Sequence, residues 1–194
     1  MKNRILAVYP ESEFVTKRSE KLFVADFTKR TENARGVEFS EEQPKDPNDN
    51  DLPMHCFVIN NTNRHSIDYY VFDDSQFKNN IGQHLPHGEC CFFPTINDGR
   101  SWFCIVEIKD CKPRNVSNYR EDIKEKMDSM FEIFRKKVGI PNSIYFIASM
   151  PRKKVNHDQS IFDDYVSKKN YRKAFLVASN SATIIDNHRF NPFD

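Results

Sequence analysis

Five glycines in 194 residues leave little room for a glycine-rich phosphate loop, and none is found. No run of about 18 apolar residues occurs, so no membrane-spanning helix is expected. The opening stretch MKNRILAVYPESE has too short an apolar segment for a signal peptide, which predicts a cytoplasmic protein with no membrane partner. The five cysteines, Cys56, Cys90, Cys91, Cys104 and Cys111, include no Cys-x-x-Cys pair, which argues against a zinc centre. An odd count in a cytoplasmic chain predicts free, mostly buried thiols. Internal repeats are absent. Excess charge is absent too: the net charge is +1, which permits an anionic partner without demanding one. It hides an asymmetry, since residues 101–194 carry 17 Lys/Arg against 12 Asp/Glu and residues 1–100 carry 12 against 16.

What is present is aromatic: 17 Phe and 7 Tyr, beside 29% charged residues, as in a soluble globular domain with a substantial core. The informative stretch is Glu89 to Lys109, ECCFFPTINDGRSWFCIVEIK. Two apolar runs, 90–95 and 101–108, flank Asn97-Asp98-Gly99, residue types that tolerate the positive φ of a tight hairpin turn. A turn centred near Asp98 pairs residues whose numbers sum to about 196. Phe93 then faces Phe103, and Glu89 faces Glu107. Trp102, Cys104, Val106 and Ile108 take one face of the second strand; Phe103 and Ile105 take the other. A strand apolar on both faces belongs in the middle of a domain.

Glu107 and Lys109 share a face at the end of that strand, with Glu89 across from them. Opposed carboxylates repel unless a cation lies between them. Such oxygens suit Mg²⁺ or Mn²⁺, which take carboxylates, waters and substrate phosphate, and a lysine beside the ion can stabilise charge on phosphate. The plainer alternative is that Glu-x-Lys merely solvates a strand end. His84 and His87, just before Glu89, read as loop histidines, with a metal role for His87 as the alternative.

Along the rest of the chain, 4–9 and 22–28 read as strands with a short helix between them at 11–20. Residues 31–53 read as a polar, flexible loop, setting an N-terminal segment (1–30) packed on or beside a core domain (54–194). Residues 56–59 and 67–72 read as a hairpin through Asn60–Asn63, and Asp73-Asp74-Ser75 caps a short helix to about Ile81. The strongest helix follows the central hairpin, capped by Asn115 or Ser117. Tyr119, Ile123, Met127, Met130, Phe131, Phe134 and Val138 recur at helical spacing, and Gly139 and Pro141 end it. A strand at 143–149 then completes a βαβ crossover, parallel to 101–109. A helix at 159–168 and a strand at 174–185 close the chain. Lys112, Arg114, Arg152, Lys153 and Lys154 form basic segments suited to nucleic-acid phosphates; a solvated basic loop is the alternative for 152–154.

An acidic residue opening a hairpin, Glu-x-Lys ending a buried strand, then a helix and a parallel strand: over about residues 67–150 this resembles the restriction-endonuclease-like, or PD-(D/E)xK, nuclease superfamily. The resemblance implies an α/β fold tending to α+β, with a single mixed sheet, a central β-hairpin, a βαβ crossover and helices on both faces. It implies Glu89 and Glu107 as metal carboxylates, Lys109 as the catalytic lysine, and Mg²⁺-dependent (or Mn²⁺-dependent) phosphodiester hydrolysis. The first acidic residue here is Glu rather than Asp, and no Pro precedes it. Asp74 is the candidate for the further acidic residue that the family often carries on its first core helix. The expected function is a metal-dependent nuclease acting on DNA, or alternatively RNA, in restriction, repair or mobile-element defence. The alternative is a catalytically inactive module of the same fold that binds nucleic acid or a protein partner, a second copy included.

Overall fold

Every residue from Trp102 to Ile108 is buried, so this strand presents no face to solvent and both its surfaces need cover. One surface, with Phe103 and Ile105, joins Cys91, Phe93 and the apolar residues of the helices in a first core. The other, with Trp102, Cys104, Val106 and Ile108, joins Leu22, Val24, Phe57 and Ile59 in a second core. The structure, a computed structural model, describes residues 1–28, 36–96, 98–139, 143–152 and 174–193.

In chain order the elements are α1 (Lys2–Val8), β1 (Val15–Lys17), β2 (Lys21–Asp26), β3 (Val37–Ser40), β4 (Lys45–Asp46), β5 (Asp49–Pro53), β6 (Phe57–Asn60), β7 (Ile67–Val71), β8 (Cys90–Pro94), β9 (Trp102–Ile108), α2 (Arg120–Ile133), β10 (Ser143–Ser149), β11 (Ala174–Ala178), β12 (Ser181–Ile184) and β13 (Phe190–Asn191). A six-stranded sheet runs β1-β7-β8-β9-β10-β11, antiparallel from β1 to β9 and parallel from β9 to β11. A five-stranded sheet runs β13-β12-β6-β2-β3, and β4 and β5 form a separate ribbon. The two larger sheets pack face to face through aromatic rings, with Trp102 stacked on Phe190 at 4.6 Å and Phe92 against Phe57 at 6.3 Å. The class is α+β: a helical layer, the six-stranded sheet, then the five-stranded sheet.

The hairpin register is the expected one: Cys90 pairs with Val106, Cys91 with Ile105 and Phe92 with Cys104, and the Phe93 and Phe103 rings stack at 5.3 Å. β9 and β10 are parallel, as the crossover requires. Between them a 3₁₀ stretch, Pro113–Tyr119, leads into α2 without the side-chain cap expected from Asn115 or Ser117. The helix buries Ile123, Met127, Met130 and Phe131 and widens into a π turn over Phe134–Val138. Gly139, at φ +88°, ends it, a conformation that costs any residue with a Cβ.

Several expectations are corrected. Among the described residues, the single sheet with helices on both faces is instead two sheets with helices on one face, because β2, β3, β6, β12 and β13 supply the second cover. Of the expected strand at 4–9, residues 4–8 are helical as part of α1 and Tyr9 is its C-cap; a short apolar run does not distinguish the two states. Here Ile5 is buried and Arg4 Nε donates to the Val138 carbonyl at 2.9 Å, capping the end of the long helix. The helix expected at 11–20 is loop and β1. The hairpin expected from 56–59 and 67–72 is broken: β6 and β7 lie in different sheets, and buried Asn61 bonds the carbonyls of Ser19 and His65 where the chain crosses over. The helix at 73–81 is one 3₁₀ turn, Asp74–Gln76, with Asp73 capping Ser75 N–H at 2.8 Å. Within 31–53, β3, β4 and β5 replace loop. The strand at 174–185 divides at Ser179-Asn180 into β11 and β12 in separate sheets. The helix expected at 159–168 lies outside the described residues, as does Asn97 of the hairpin turn.

Candidate active site

Glu89 immediately precedes β8, and its N–H donates at 2.9 Å to the carbonyl of Val106, the residue that also pairs with Cys90, so the regular ladder ends there, just short of Glu107. Glu107 is 0% exposed. By strand alternation it shares the helix-facing surface of β9 with Phe103 and Ile105, so its carboxylate lies beneath α2. Two ammonium groups meet one of its oxygens: Lys109 Nζ and Lys126 Nζ are each 2.7 Å from Oε1. Its other oxygen, Oε2, is buried with no hydrogen-bond partner, an arrangement that native interiors avoid unless something else satisfies the atom.

Lys109 is held a second time, 3.1 Å from Asp122 Oδ2, and lies over the Tyr119 ring at 5.5 Å from its centroid. Burial opposes its charge, but Glu107 and Asp122 outweigh that and hold the ammonium above the ordinary lysine range. Glu89 is pushed the other way. Burial, then the charge of Glu107, raises its carboxyl from 4.5 to about 7; Asp26 adds to the rise, and Lys126 and Lys109 oppose it. Asp26 ends β2 in the five-stranded sheet, so carboxylates from both sheets converge here.

Glu89 lines two cavities. One, of about 140 Å³, is bounded also by Asp26, Lys109, Asp110 and Tyr119. The other, of about 950 Å³, is bounded by Asp74, His84, His87, Asp122 and Lys126 among others. Asp74 is on the 3₁₀ turn rather than a core helix and accepts from His87 Nε2 at 2.8 Å. His87 also stacks on Phe77 at 4.5 Å.

Among the described residues no group of three or more His, Cys, Asp or Glu side chains is set up to hold a metal ion. Mg²⁺ does not need such a cage, since one or two carboxylates, waters and substrate phosphate suffice. The unpartnered Glu107 Oε2 and the neighbouring Glu89 carboxyl are hard oxygen donors, and a divalent cation would relieve their repulsion. The donor set fits Mg²⁺ or Mn²⁺.

The basic residues are dispersed. Lys112 and Arg114 are exposed in the turn before α2. Arg152 is clamped to Asp110 through both its Nε and its Nη2, the latter at 3.1 Å. Lys153 and Lys154 lie outside the described residues. The five cysteines are buried thiols outside any disulfide; burial raises the thiols of Cys90, Cys91 and Cys104 well above their ordinary value, which removes them as nucleophiles. Among the described residues no helix is long and apolar enough to cross a membrane.

Asp26, Asp122 and Lys126 were not anticipated. For the last two a signal exists: positions 122 and 126 are one helical turn apart, each immediately before a core position, Ile123 and Met127. They therefore flank the buried stripe instead of opposing it. Asp26 had no such signal, because it reaches the site through the second sheet. No family model, no curated protein and no solved structure matches this chain.

Proposed function

We propose that the protein is a metal-dependent nuclease that hydrolyses phosphodiester bonds, in DNA before RNA. The observation that carries this reading is the buried, unpartnered Glu107 Oε2, with two ammonium groups on the companion oxygen and the Glu89 carboxyl within reach of its charge. The antiparallel run β7-β8-β9, followed through α2 by parallel β10, also supports the resemblance to the restriction-endonuclease-like superfamily.

In this reading Glu89 and Glu107 hold Mg²⁺ or Mn²⁺. When bound, the ion supplies Lewis-acid stabilisation of phosphate charge and an acidified water as nucleophile. The chain does the rest. The buried strand end excludes bulk water, which strengthens each electrostatic interaction. The lysines beside Glu107 provide fixed positive charge where the phosphoryl oxygens gain negative charge in the transition state; the resemblance gives that role to Lys109. Incubation with labelled single- and double-stranded DNA and RNA, in Mg²⁺ or Mn²⁺ against EDTA, tests the proposal. Cutting that requires the metal is expected; wild-type protein that cuts none of them under any metal condition refutes it.

A second reading rests on a different observation. Lys109 and Lys126 already neutralise Glu107 Oε1, and Asp122 completes the cluster, so the same residues can serve to pin α2 to the sheet. The protein is then a non-catalytic module that binds nucleic acid, a protein partner or its own copy. Metal-independent binding without cleavage is its signature.

A further inference from the structure

The two lysines on Glu107 are equivalent in distance and unequal in surroundings. We propose that Lys126, rather than Lys109, is the lysine that meets the substrate phosphate; the proposal rests on the nuclease reading above.

Lys109 is committed. It contacts Glu107 at 2.7 Å and Asp122 at 3.1 Å, it covers the Tyr119 ring, and it faces the cavity of about 140 Å³. That cavity is the smaller of the two that Glu89 lines and offers less room for a nucleotide. Lys126 faces the cavity of about 950 Å³, at the upper end of the roughly 300–1,000 Å³ of small-molecule sites. It shares that cavity with Glu89, the carboxyl on which the charge of Glu107 acts. Among the described residues Lys126 is the one lysine or arginine lining it, whereas Asp73, Asp74, Asp122 and Glu89 are acidic. Among the described residues lining it, a phosphodiester meets several carboxylates and one fixed cation, Lys126.

The position is also rigid. Lys126 lies on α2 next to fully buried Met127, and its side chain is only 20% exposed, so little freedom remains to be lost on binding. In hydrolysis a bond forms from water oxygen to phosphorus and the bond to the leaving alkoxide breaks. The water supplies the new phosphate hydroxyl and the proton that ends on the leaving alcohol. Lys126 keeps its own proton and donates hydrogen bonds to the non-bridging oxygens as their charge grows. Lys109 is left as a positioning residue that orients Glu107 and Asp122.

The test compares wild type, Lys126→Gln, Lys126→Arg and Lys109→Gln in single-turnover cleavage of a fluorescent DNA duplex with Mg²⁺, with melting curves as the check on folding. A parallel readout is acetylation of each lysine by acetic anhydride, read by mass spectrometry, with and without the duplex in Ca²⁺. Lys126→Gln is expected to lose about 100-fold or more in rate, the scale of a lost transition-state donor, and Lys109→Gln about ten-fold. Lys126→Arg should recover part of the loss, and the duplex should protect Lys126 more than Lys109. If cutting depends on Lys109 more than on Lys126, with the duplex protecting Lys109, the assignment falls and the nuclease reading stands. If wild type cuts nothing and the duplex protects neither lysine, both fall.

Discussion

The ammonium of Lys126, on α2, lies 2.7 Å from the carboxylate of Glu107, at the end of β9. This contact joins the long helix to the central strand at the point where the candidate chemistry is placed. Glu107→Ala strips Lys126 of that partner and leaves Lys109 with Asp122 alone. Removing one side of a fully buried ion pair costs about 3–5 kcal/mol. Because the two lysine side chains are 20% and 18% exposed, a smaller cost of about 2–3 kcal/mol is expected here. Urea denaturation measures it, and an unchanged midpoint would contradict the contact.

Glu89 makes metal-free stability depend on pH. Its folded carboxyl titrates near 7 against an ordinary 4.5, so between those values the folded state holds the proton more tightly than the unfolded state. Its stabilising contribution is complete below 4.5 and is lost as pH rises through about 7. Glu89→Gln removes that slope. Allowing for partial exposure, the variant should be about 1–2 kcal/mol more stable than wild type near pH 8 and indistinguishable from it at acid pH. Denaturation in EDTA across the pH range reads the difference; identical slopes would sink the prediction.

Divalent metal should act on the same proton. Below about pH 7 the ion must displace it and above that pH it need not, so Mg²⁺ or Mn²⁺ should raise Tm more at about pH 8 than at about pH 6. In Glu89→Gln the metal-induced rise should shrink at both. A wild-type Tm that ignores the metal at every pH would remove Glu89 from the metal site.

Gly139 secures the far end of the long helix. Its φ of +88° disfavours a side chain, and an added Cβ would run into Arg4 Nη2, displacing the group that caps Val138. Gly139→Ala should cost about 2 kcal/mol, measured by urea denaturation, with a matching loss in Arg4→Ala/Gly139→Ala no larger than the sum of the single variants.

The parts of the fold that could be read in advance are those fixed by local chemistry. The turn at Asp98-Gly99 sets a register that pairs Cys90 with Val106, and that register brings Glu89 and Glu107 to the same end of the hairpin. The 3.6-residue recurrence from Ile123 to Val138 defines the long helix because its stripe is long enough to exclude a strand. The second sheet was not legible. β6 pairs with β12 and β2, strands far apart along the chain, and nothing local in Phe57–Asn60 distinguishes that outcome from pairing with β7. RILAVY was misread because six apolar-rich residues satisfy either period; the cap that Arg4 makes on Val138 is a tertiary effect. Lys126 is legible only in its place beside the core stripe, just before Met127; that it meets a carboxylate there is set by the buried Glu107 below it.

The most direct measurement is single-turnover cleavage of labelled DNA by wild type and Glu107→Gln, in Mg²⁺ and in EDTA, with the melting curve of each protein recorded alongside. Gln keeps the shape of the side chain and removes the charge that would hold the ion. The account predicts cutting by wild type in Mg²⁺ only, and none by a variant that still melts cooperatively. Cleavage by a folded Glu107→Gln protein, or by wild type in EDTA, would contradict it.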